Sequence, residues 1–377
     1  MHIKTIEPIA VSLPMLKPVI MAGEEVRRAD NVLVRIAAHN GLVGWGEAAS
    51  APVMTGETLE SIVTAVHYLA PALQSREAAD IEGALAAMDG RMYGNHGAKA
   101  AIEIALYDLA GKAAGKPVHA LLGQKQRSRL PLLGVIGGGD LDGDLRDAEK
   151  KKAADVTAYK IKVGIDTPEN DAARTRAICK LLGKGLLISA DANQGFDTDG
   201  ALRYVRAVDG AGLDFFEQPV MADDLSGMAQ VAAATSIAIG ADEGIHSLDD
   251  IRRHHEKKAA RGVSLKAIKL GGARAVTQAA KLCDTLGMSV NISCKTGESS
   301  VACAAALHVA CVIPNIAWGL TLTHGSLRED VTTQPLPASQ SHADALDRLG
   351  LGVEVDEDRV RRHRVDAGNS IRHAVSA

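Results

Sequence analysis

The sequence predicts an α/β protein built as a (β/α)8-type barrel with an N-terminal α+β capping domain. From about residue 130, short apolar runs recur eight times at intervals of 24–28 residues, each followed by a longer helical pattern. One strand, one helix and two loops require about that length, so each period predicts one βα unit. A doubly wound open sheet is the alternative, but no Gly-x-Gly-x-x-Gly fingerprint follows the first strand. The predicted strands start at Leu130, Ala158, Leu186, Leu213, Ile237, Ser264, Ser289 and Ile316.

The first 128 residues have a different pattern. Apolar stretches within the first 45 residues predict antiparallel strands, and Asn40-Gly41 supplies the two positive-φ residues that a tight hairpin needs. A helical period then starts near Glu57, and an Ala-rich helix is predicted at 98–114. The predicted domains are therefore the capping domain (1–128), the catalytic barrel domain (129–339) and a C-terminal segment that returns to the capping domain (340–377).

The composition argues against several classes of function. Lys and Arg (42) nearly balance Asp and Glu (46), so the net charge of −4 leaves no basic excess for binding nucleic acid. No apolar run reaches the length of about 18 residues that a membrane span needs, and the N-terminus opens into a strand rather than a signal peptide. The five cysteines are odd in number and lack metal-ligand spacing. They predict free thiols and a cytoplasmic protein.

Ionisable residues fall at the C-terminal ends of consecutive predicted barrel strands, where barrel active sites are built. The second strand carries two lysines at i and i+2, which alternation places on the same inner face. Successive charged positions are then separated by 29, 26, 25 and 24 residues, which is one βα unit each. The residues at these ends are Lys160, Lys162, Asp191, Asn193, Glu217, Asp242, Glu243 and Lys266.

Three carboxylates around one mouth repel one another unless a divalent cation joins them. Oxygen ligands without His or Cys suit Mg²⁺ or Mn²⁺. A lysine beside a cation has its neutral form favoured, so it can act as a general base, and a metal-bound substrate carboxylate stabilises the enediolate formed on loss of the α-proton. Each residue alone is more often a salt-bridge partner, but charge at five consecutive strand ends has no packing rationale. The pattern predicts proton abstraction next to a carboxylate.

At these motifs the chain resembles the enolase superfamily, in its muconate-lactonizing-enzyme (muconate cycloisomerase) subgroup, whose barrel is a modified TIM barrel. The motifs follow in the family's order: Lys-x-Lys (160–162), Asp-x-Asn (191–193), Glu-Gln-Pro (217–219), Ala-Asp-Glu (241–243) and Lys-x-x-Lys-x-Gly-Gly (266–272). The resemblance implies that Asp191, Glu217 and Asp242 bind Mg²⁺. It also implies that Lys162 and Lys266 are the acid/base pair and that Lys160 helps to neutralise the substrate carboxylate. It further implies a homo-oligomer that acts on a small-molecule carboxylate.

Departures from that pattern concern the substrate. Around Glu298, at the end of the seventh strand, close relatives are more apolar, whereas this chain has Lys295. That lysine is either a contact for a second anionic group of the substrate or an ordinary helix-entry lysine. Thr321 on the eighth strand stands where the muconate enzymes carry a glutamate. The paired aspartates of the related dipeptide epimerases are missing as well.

The reaction type therefore stays open at this point. Cycloisomerisation and racemisation or epimerisation fit the two lysines, and dehydration on the same site is an alternative. A Schiff-base lyase or aldolase barrel and a non-catalytic small-molecule binding barrel are the other classes. Among residues outside the pattern, His254-His255 are expected on a solvated helix face, His308 in the core, and Cys294 without a histidine partner that would make it a nucleophile.

Overall fold

The computed structural model of the chain describes residues 1–21, 24–137 and 140–366. The N-terminal part of the chain forms a three-stranded antiparallel sheet in the order β1-β2-β3. Its helices pack against one face of this sheet, and their apolar residues form a core of their own. The sheet consists of β1 (Ile3–Met21), β2 (Glu24–Ala38) and β3 (Val43–Ala49). The helices are α1 (Pro52–Thr55), α2 (Leu59–Leu73), α3 (Ile81–Arg91), α4 (His96–Ala114) and α5 (His119–Leu122).

The predicted barrel is confirmed. Eight parallel strands pair in chain order, and a parallel bridge between Leu132 and Leu320 brings the last strand back to the first. A short strand, β4 (Arg129–Pro131), precedes them. The barrel strands are β5 (Leu133–Ile136), β6 (Ala158–Lys162), β7 (Leu187–Asp191), β8 (Phe215–Glu217), β9 (Ala238–Ala241), β10 (Gly262–Leu265), β11 (Ser289–Ser293) and β12 (Leu320–Thr321).

Helices follow the barrel strands and bury their apolar faces against them in one continuous core. They are α6 (Leu141–Ala153), α7 (Pro168–Leu182), α8 (Thr198–Ala207), α9 (Leu225–Ala233), α10 (Leu248–Glu256), the short α11 (Ala267–Leu270), α12 (Ala273–Thr285) and α13 (Ser300–Val312). A 3-10 turn (His324–Ser326), β13 (His342–Asp344) and α14 (Glu357–His363) complete the chain. The strand β13 pairs with β4, and the Leu351 amide donates to Asp108 of α4 at 2.9 Å. No helix within the three described ranges is long and apolar enough to cross a membrane.

The hairpin between β2 and β3 differs from the predicted one. Only Gly41 has a positive φ, of 88°, because the loop is a turn closed by the Gly41 amide on the Ala38 carbonyl. The Ala38 amide then pairs with the Leu42 carbonyl, which makes a three-residue loop with glycine at its left-handed position. The helix predicted near Glu57 begins at Leu59, since the side chains and backbone amides of Thr58 and Ser61 form a reciprocal capping box.

Two buried glutamates of the capping domain cap helices of the barrel. Glu47 on β3 accepts hydrogen bonds from the Ser299 amide at 2.9 Å and the Ala302 amide at 3.0 Å, at the start of α13. Glu103 on α4 accepts from the first amides of α12 in the same way. The free amides at a helix N-terminus need acceptors, and here a different domain supplies them. The capping domain is therefore fixed relative to the strand ends that precede α12 and α13.

Candidate active site

The three predicted carboxylates lie at the ends of three adjacent barrel strands. Asp191 and Glu217 are register partners on β7 and β8, and Asp242 follows β9 directly. All three are buried, with at most 2% of their surface exposed. Parallel pairing brings these strand ends to one edge, so the side chains meet at the C-terminal mouth of the barrel.

Lysines from the second strand neutralise two of these carboxylates. The Lys160 ammonium donates to Glu217 Oε2 at 2.7 Å and lies 3.6 Å from Asp191 Oδ2. The Lys162 ammonium donates to Asp191 Oδ2 at 2.7 Å and also to Asn193 Oδ1. Burial alone raises the pKa of Asp191, but the two lysines outweigh it and the pKa is lowered. For Glu217, burial and the neighbouring acids outweigh Lys160, and its pKa is raised.

The third carboxylate, Asp242, is held by two lysines. Lys266 contacts its Oδ2, and Lys269 lies 2.6 Å from its Oδ1. Burial lowers the pKa of Lys266, but the surrounding carboxylates outweigh burial and the pKa is raised. Lys269 is fully buried and was not among the predicted site residues, although the Lys-x-x-Lys motif contains it. The one-turn helix α11 places it beside Lys266, a position that strand alternation does not predict.

Two amide side chains organise the mouth. Asn193, at a positive φ of 42°, accepts from Lys162 and donates through Nδ2 to Glu243 Oε1 at 3.0 Å. Gln218, also at a positive φ, accepts from the Asp242 amide at 2.9 Å through Oε1. Burial and the charges of Asp242 and Asp191 raise the pKa of Glu243 to about 7. Asn193 and Glu243 are among the residues that the sequence predicts for the site, whereas Gln218, the middle residue of the Glu-Gln-Pro motif, is not.

The donor set suits a divalent cation, although lysines contact its carboxylates here. In the described part of the chain, no three His, Cys, Asp or Glu side chains are grouped so that they could hold a metal ion. Each predicted ligand instead contacts at least one ammonium group. However, Glu217 Oε1 and Glu243 Oε2 are buried acceptors without a hydrogen-bond partner among the described residues. A buried, unpaired carboxylate oxygen is costly, and a hard cation would satisfy it.

The seventh and eighth strands contribute the remaining predicted residues. The Lys295 amide donates to Glu298 Oε2 at 3.0 Å, just beyond β11. Burial raises the pKa of Glu298 to about 8, and the nearby Glu47 adds to that rise. Thr321, at the end of β12, is buried, and its hydroxyl has no partner among the described residues. These three residues lie at the same end of the barrel as the lysines.

The histidines and cysteines outside the carboxylate and lysine cluster agree with the sequence predictions except for His254. His308 is a core histidine as predicted, and its Nε2 lies 3.1 Å from the Leu351 carbonyl. His255 is exposed, but the expectation for His254 was wrong, because that side chain is buried with Nδ1 2.8 Å from the Asp250 carbonyl. All five cysteines are free thiols, and the neighbouring Cys303 thiol and burial raise the pKa of the Cys294 thiol, which disfavours a thiolate nucleophile.

Comparison with known proteins identifies, over nearly the whole chain, the same family that the sequence motifs resemble. Residues 5–123 match the family described as "Mandelate racemase / muconate lactonizing enzyme, N-terminal domain", and residues 144–359 match "Enolase C-terminal domain-like". A chloromuconate cycloisomerase of Cupriavidus necator is 32% identical over 96% of this chain and 99% of the relative. An N-succinyl-L-Arg/Lys racemase of Bacillus cereus is 31% identical over 96% and 97%. The crystal structure of a muconate lactonizing enzyme from Pseudomonas fluorescens has a TM-score of 0.91 at 31% identity, covering 97% of this chain and 99% of that one.

Proposed function

Because the chain belongs to the muconate-lactonizing-enzyme subgroup of the enolase superfamily, we propose that it is a Mg²⁺-dependent isomerase that removes a proton from the carbon next to a substrate carboxylate. Its relatives include cycloisomerases, racemases and epimerases, so the chain is an isomerase. The metal, the proton-transfer mechanism and the residues that carry it are the proposal.

The placement of two lysines carries the proposal. Lys162 ends the second barrel strand and Lys266 follows the sixth, so they stand four strands apart in a ring of eight. Strands so separated lie on opposite sides of a barrel, and a planar substrate carbon between them has one lysine on each face. Lys162 keeps 32% of its side-chain surface exposed, and both lysines are hydrogen-bonded to carboxylates that fix their direction. One lysine removes the proton and the other returns one to the opposite face.

Asp191, Glu217 and Asp242 would hold the metal. When bound, Mg²⁺ neutralises these carboxylates, which favours the neutral amine of a neighbouring lysine, and it withdraws negative charge from the substrate carboxylate. Lys160 is almost fully buried against Glu217 and Asp191, so we assign it a positioning role for those carboxylates. Asn193 holds Lys162 and Glu243 together, which restrains the lysine between proton transfers.

Racemisation or epimerisation requires only the two lysines, and cycloisomerisation requires a suitable diene acid in the same place. Relatives of both kinds are about equally similar to this chain. The glutamate that the muconate enzymes carry at the position of Thr321 and the paired aspartates of the dipeptide epimerases are both missing here, so these departures favour neither muconate cycloisomerisation nor dipeptide epimerisation. Action in the cytoplasm, on a small-molecule carboxylate and as a homo-oligomer, is part of the same proposal.

Deuterium uptake from D₂O tests the proposal. The protein with Mg²⁺ would be offered pooled N-acyl amino acids, dipeptides, hydroxyprolines and muconates, and uptake at the α-carbon measured by mass spectrometry. We expect uptake by the parent protein. Lys162→Ala and Lys266→Ala should each lose about 10²- to 10⁴-fold of the uptake with the enantiomer whose α-hydrogen faces the lysine removed. Full activity of Lys266→Ala would contradict the proposal. Reductive trapping of a substrate on a lysine by borohydride, with activity that resists EDTA, would support a Schiff-base enzyme instead.

A further inference from the structure

The loop that follows Lys162 is held by a buried aspartate in the first turn of α7. The Oδ2 atom of Asp171 accepts from three consecutive backbone amides just beyond β6, at 2.7, 3.2 and 3.4 Å: Gly164, Ile165 and Asp166. Asp171 is fully buried, so these amides replace water as donors to its carboxylate. The chain directly after Lys162 is therefore tied to α7.

A buried arginine of the same helix holds Lys162 itself. The Nη2 atom of Arg174 donates to the backbone carbonyl of Lys162. The same nitrogen lies 2.8 Å from Asp171 Oδ1, and Nη1 contacts Asp144 of α6. Because the donors of a guanidinium point in fixed directions, this fork joins the end of β6 to the helices that precede and follow it in the chain.

The second lysine of the proposed pair is held by different residues. Lys266 precedes the one-turn helix α11, and the Lys269 carbonyl in that turn lies 2.6 Å from His96 Nδ1 of α4. Glu103, also on α4, accepts from the first amides of α12. The capping domain thus holds the backbone around Lys266, whereas α6 and α7 of the barrel hold the backbone of Lys162.

The buried charges around Arg174 are a poor source of stability. The cost of removing two charges from water can exceed the gain from their attraction, so a buried ion pair often stabilises a protein no better than apolar side chains do. A fixed guanidinium does, however, set the position of the backbone that it contacts. In a proton transfer, a displacement of about 1 Å can lower the rate by about 10²-fold.

We propose that Arg174 is a positioning residue for proton transfer at Lys162. It holds the last residue of β6 so that the Lys162 ammonium meets its carboxylate and amide partners at the barrel mouth. Within the described ranges, Arg174 contacts Asp144, Asp171 and the Lys162 carbonyl, so its effect on the reaction passes through Lys162. The inference rests on the proposed function, because it assigns Arg174 to one face of that reaction.

The initial rate of α-hydrogen exchange tests this role when it is measured separately for each enantiomer of an N-acyl amino acid substrate, with Mg²⁺ in D₂O. The Lys162→Ala variant identifies the enantiomer that Lys162 deprotonates. Arg174→Lys keeps a positive charge beside the aspartates, but one nitrogen cannot occupy both guanidinium positions. We expect Arg174→Lys to exchange the Lys162-facing enantiomer about 10- to 100-fold more slowly and the other within about twofold of the parent rate.

The ratio of the two exchange rates separates positioning from a merely structural role, since a general loss of folded protein lowers both rates together. Asp171→Asn weakens the same attachment and should shift the ratio in the same direction, which keeps the inference testable if Arg174→Lys does not fold. Equal losses with both enantiomers, or an unchanged rate with the Lys162-facing enantiomer, overturn the inference.

Arg176→Gln is the matched control. Arg176 is exposed, lies two residues further along α7 and also donates to backbone carbonyls, those of Ala207 and Asp209. We expect this variant to exchange both enantiomers at the parent rate. A shift of the ratio in Arg176→Gln as large as in Arg174→Lys would contradict a specific role of Arg174.

Backbone hydrogen exchange separates this inference from the proposed function, because it needs no substrate. Peptides covering residues 160–170 and 262–273 would be followed by mass spectrometry in the parent protein and in Arg174→Lys. We expect exchange about tenfold faster in the first peptide of the variant and no change in the second. Unchanged exchange in the first peptide overturns the inference even where the parent protein removes α-hydrogens. No α-deuterium uptake by the parent protein contradicts the proposed function, and faster exchange would then show only that Arg174 holds the end of β6.

Discussion

Replacing Glu47 by glutamine should make the stability of the chain less dependent on pH. Glu47 is 1% exposed, and it joins the capping sheet to the start of α13, directly after the loop that carries Lys295. Burial raises its pKa to about 7, against the weaker opposing effect of hydrogen bonds from Ser299 and Ala302. Glutamine has the same size and cannot ionise, but its amide nitrogen cannot accept the hydrogen bond that one carboxyl oxygen takes from the Ala302 or Ser299 amide, a cost that does not depend on pH.

The direction and size of the effect follow from proton linkage. The folded chain keeps the Glu47 proton up to about pH 7, whereas the unfolded chain loses it near pH 4.5. Between those values the folded state binds more protons, so stability falls as the pH rises. A pKa raised from 4.5 to about 7 corresponds to about 3 kcal/mol for this buried group. Between about pH 5 and pH 8, the unfolding free energy of the parent protein should therefore fall by about 3 kcal/mol more than that of Glu47→Gln.

Urea unfolding in EDTA, followed by tryptophan fluorescence, measures this difference. Trp45 lies in the capping sheet and Trp318 in the barrel, and both are buried, so both domains are monitored. The exposed Glu149→Gln on α6 is the matched control and should behave as the parent protein. Because the unfolding free energies of each protein are compared at two pH values, any loss of stability that the glutamine amide causes equally at both values cancels. The same pH dependence in Glu47→Gln and the parent protein would refute the reasoning.

Three further predictions concern the metal, the domain contact and the barrel core. Mg²⁺ at 100-fold its dissociation constant should stabilise the parent protein by about 2.7 kcal/mol, seen as a higher melting temperature, and Glu217→Gln should lose most of this gain. Glu103→Ala leaves the buried Ala273 amide without its acceptor and should cost about 2–4 kcal/mol in urea unfolding; a cost below about 0.5 kcal/mol would contradict its capping role. Gly262→Ala places a Cβ against both the Trp318 ring and the Ser289 carbonyl and should cost about 1–3 kcal/mol, whereas an unchanged midpoint would contradict this prediction.

The sequence predicted the features that depend on regular spacing. The period of 24–28 residues predicted eight strands, which the barrel has. Charged residues spaced by one βα unit were predicted to meet at one mouth, and their side chains are in contact there: Lys162, Asp191, Glu217, Asp242 and Lys266. Strand alternation also placed Lys160 and Lys162 on one face, where both meet carboxylates. These features follow from local geometry, which the sequence expresses directly.

Other features depend on contacts that local patterns do not reveal. The Glu47–Ser299 and Glu103–Ala273 hydrogen bonds join residues 252 and 170 positions apart. Lys269 reaches Asp242 because a single helical turn interrupts the chain after β10. His254 is buried although its neighbours are charged, because its face of α10 turns towards the barrel core.

The central claim is that Lys162 and Lys266 act on opposite faces of one carbon. Deuterium uptake into each pure enantiomer of an N-acyl amino acid substrate, with Mg²⁺ in D₂O, tests it most directly. Each enantiomer presents its α-hydrogen to one lysine, so Lys162→Ala should lose exchange with one enantiomer and Lys266→Ala with the other. Equal loss of exchange with both enantiomers in one variant, and none in the other, would contradict the two-base account.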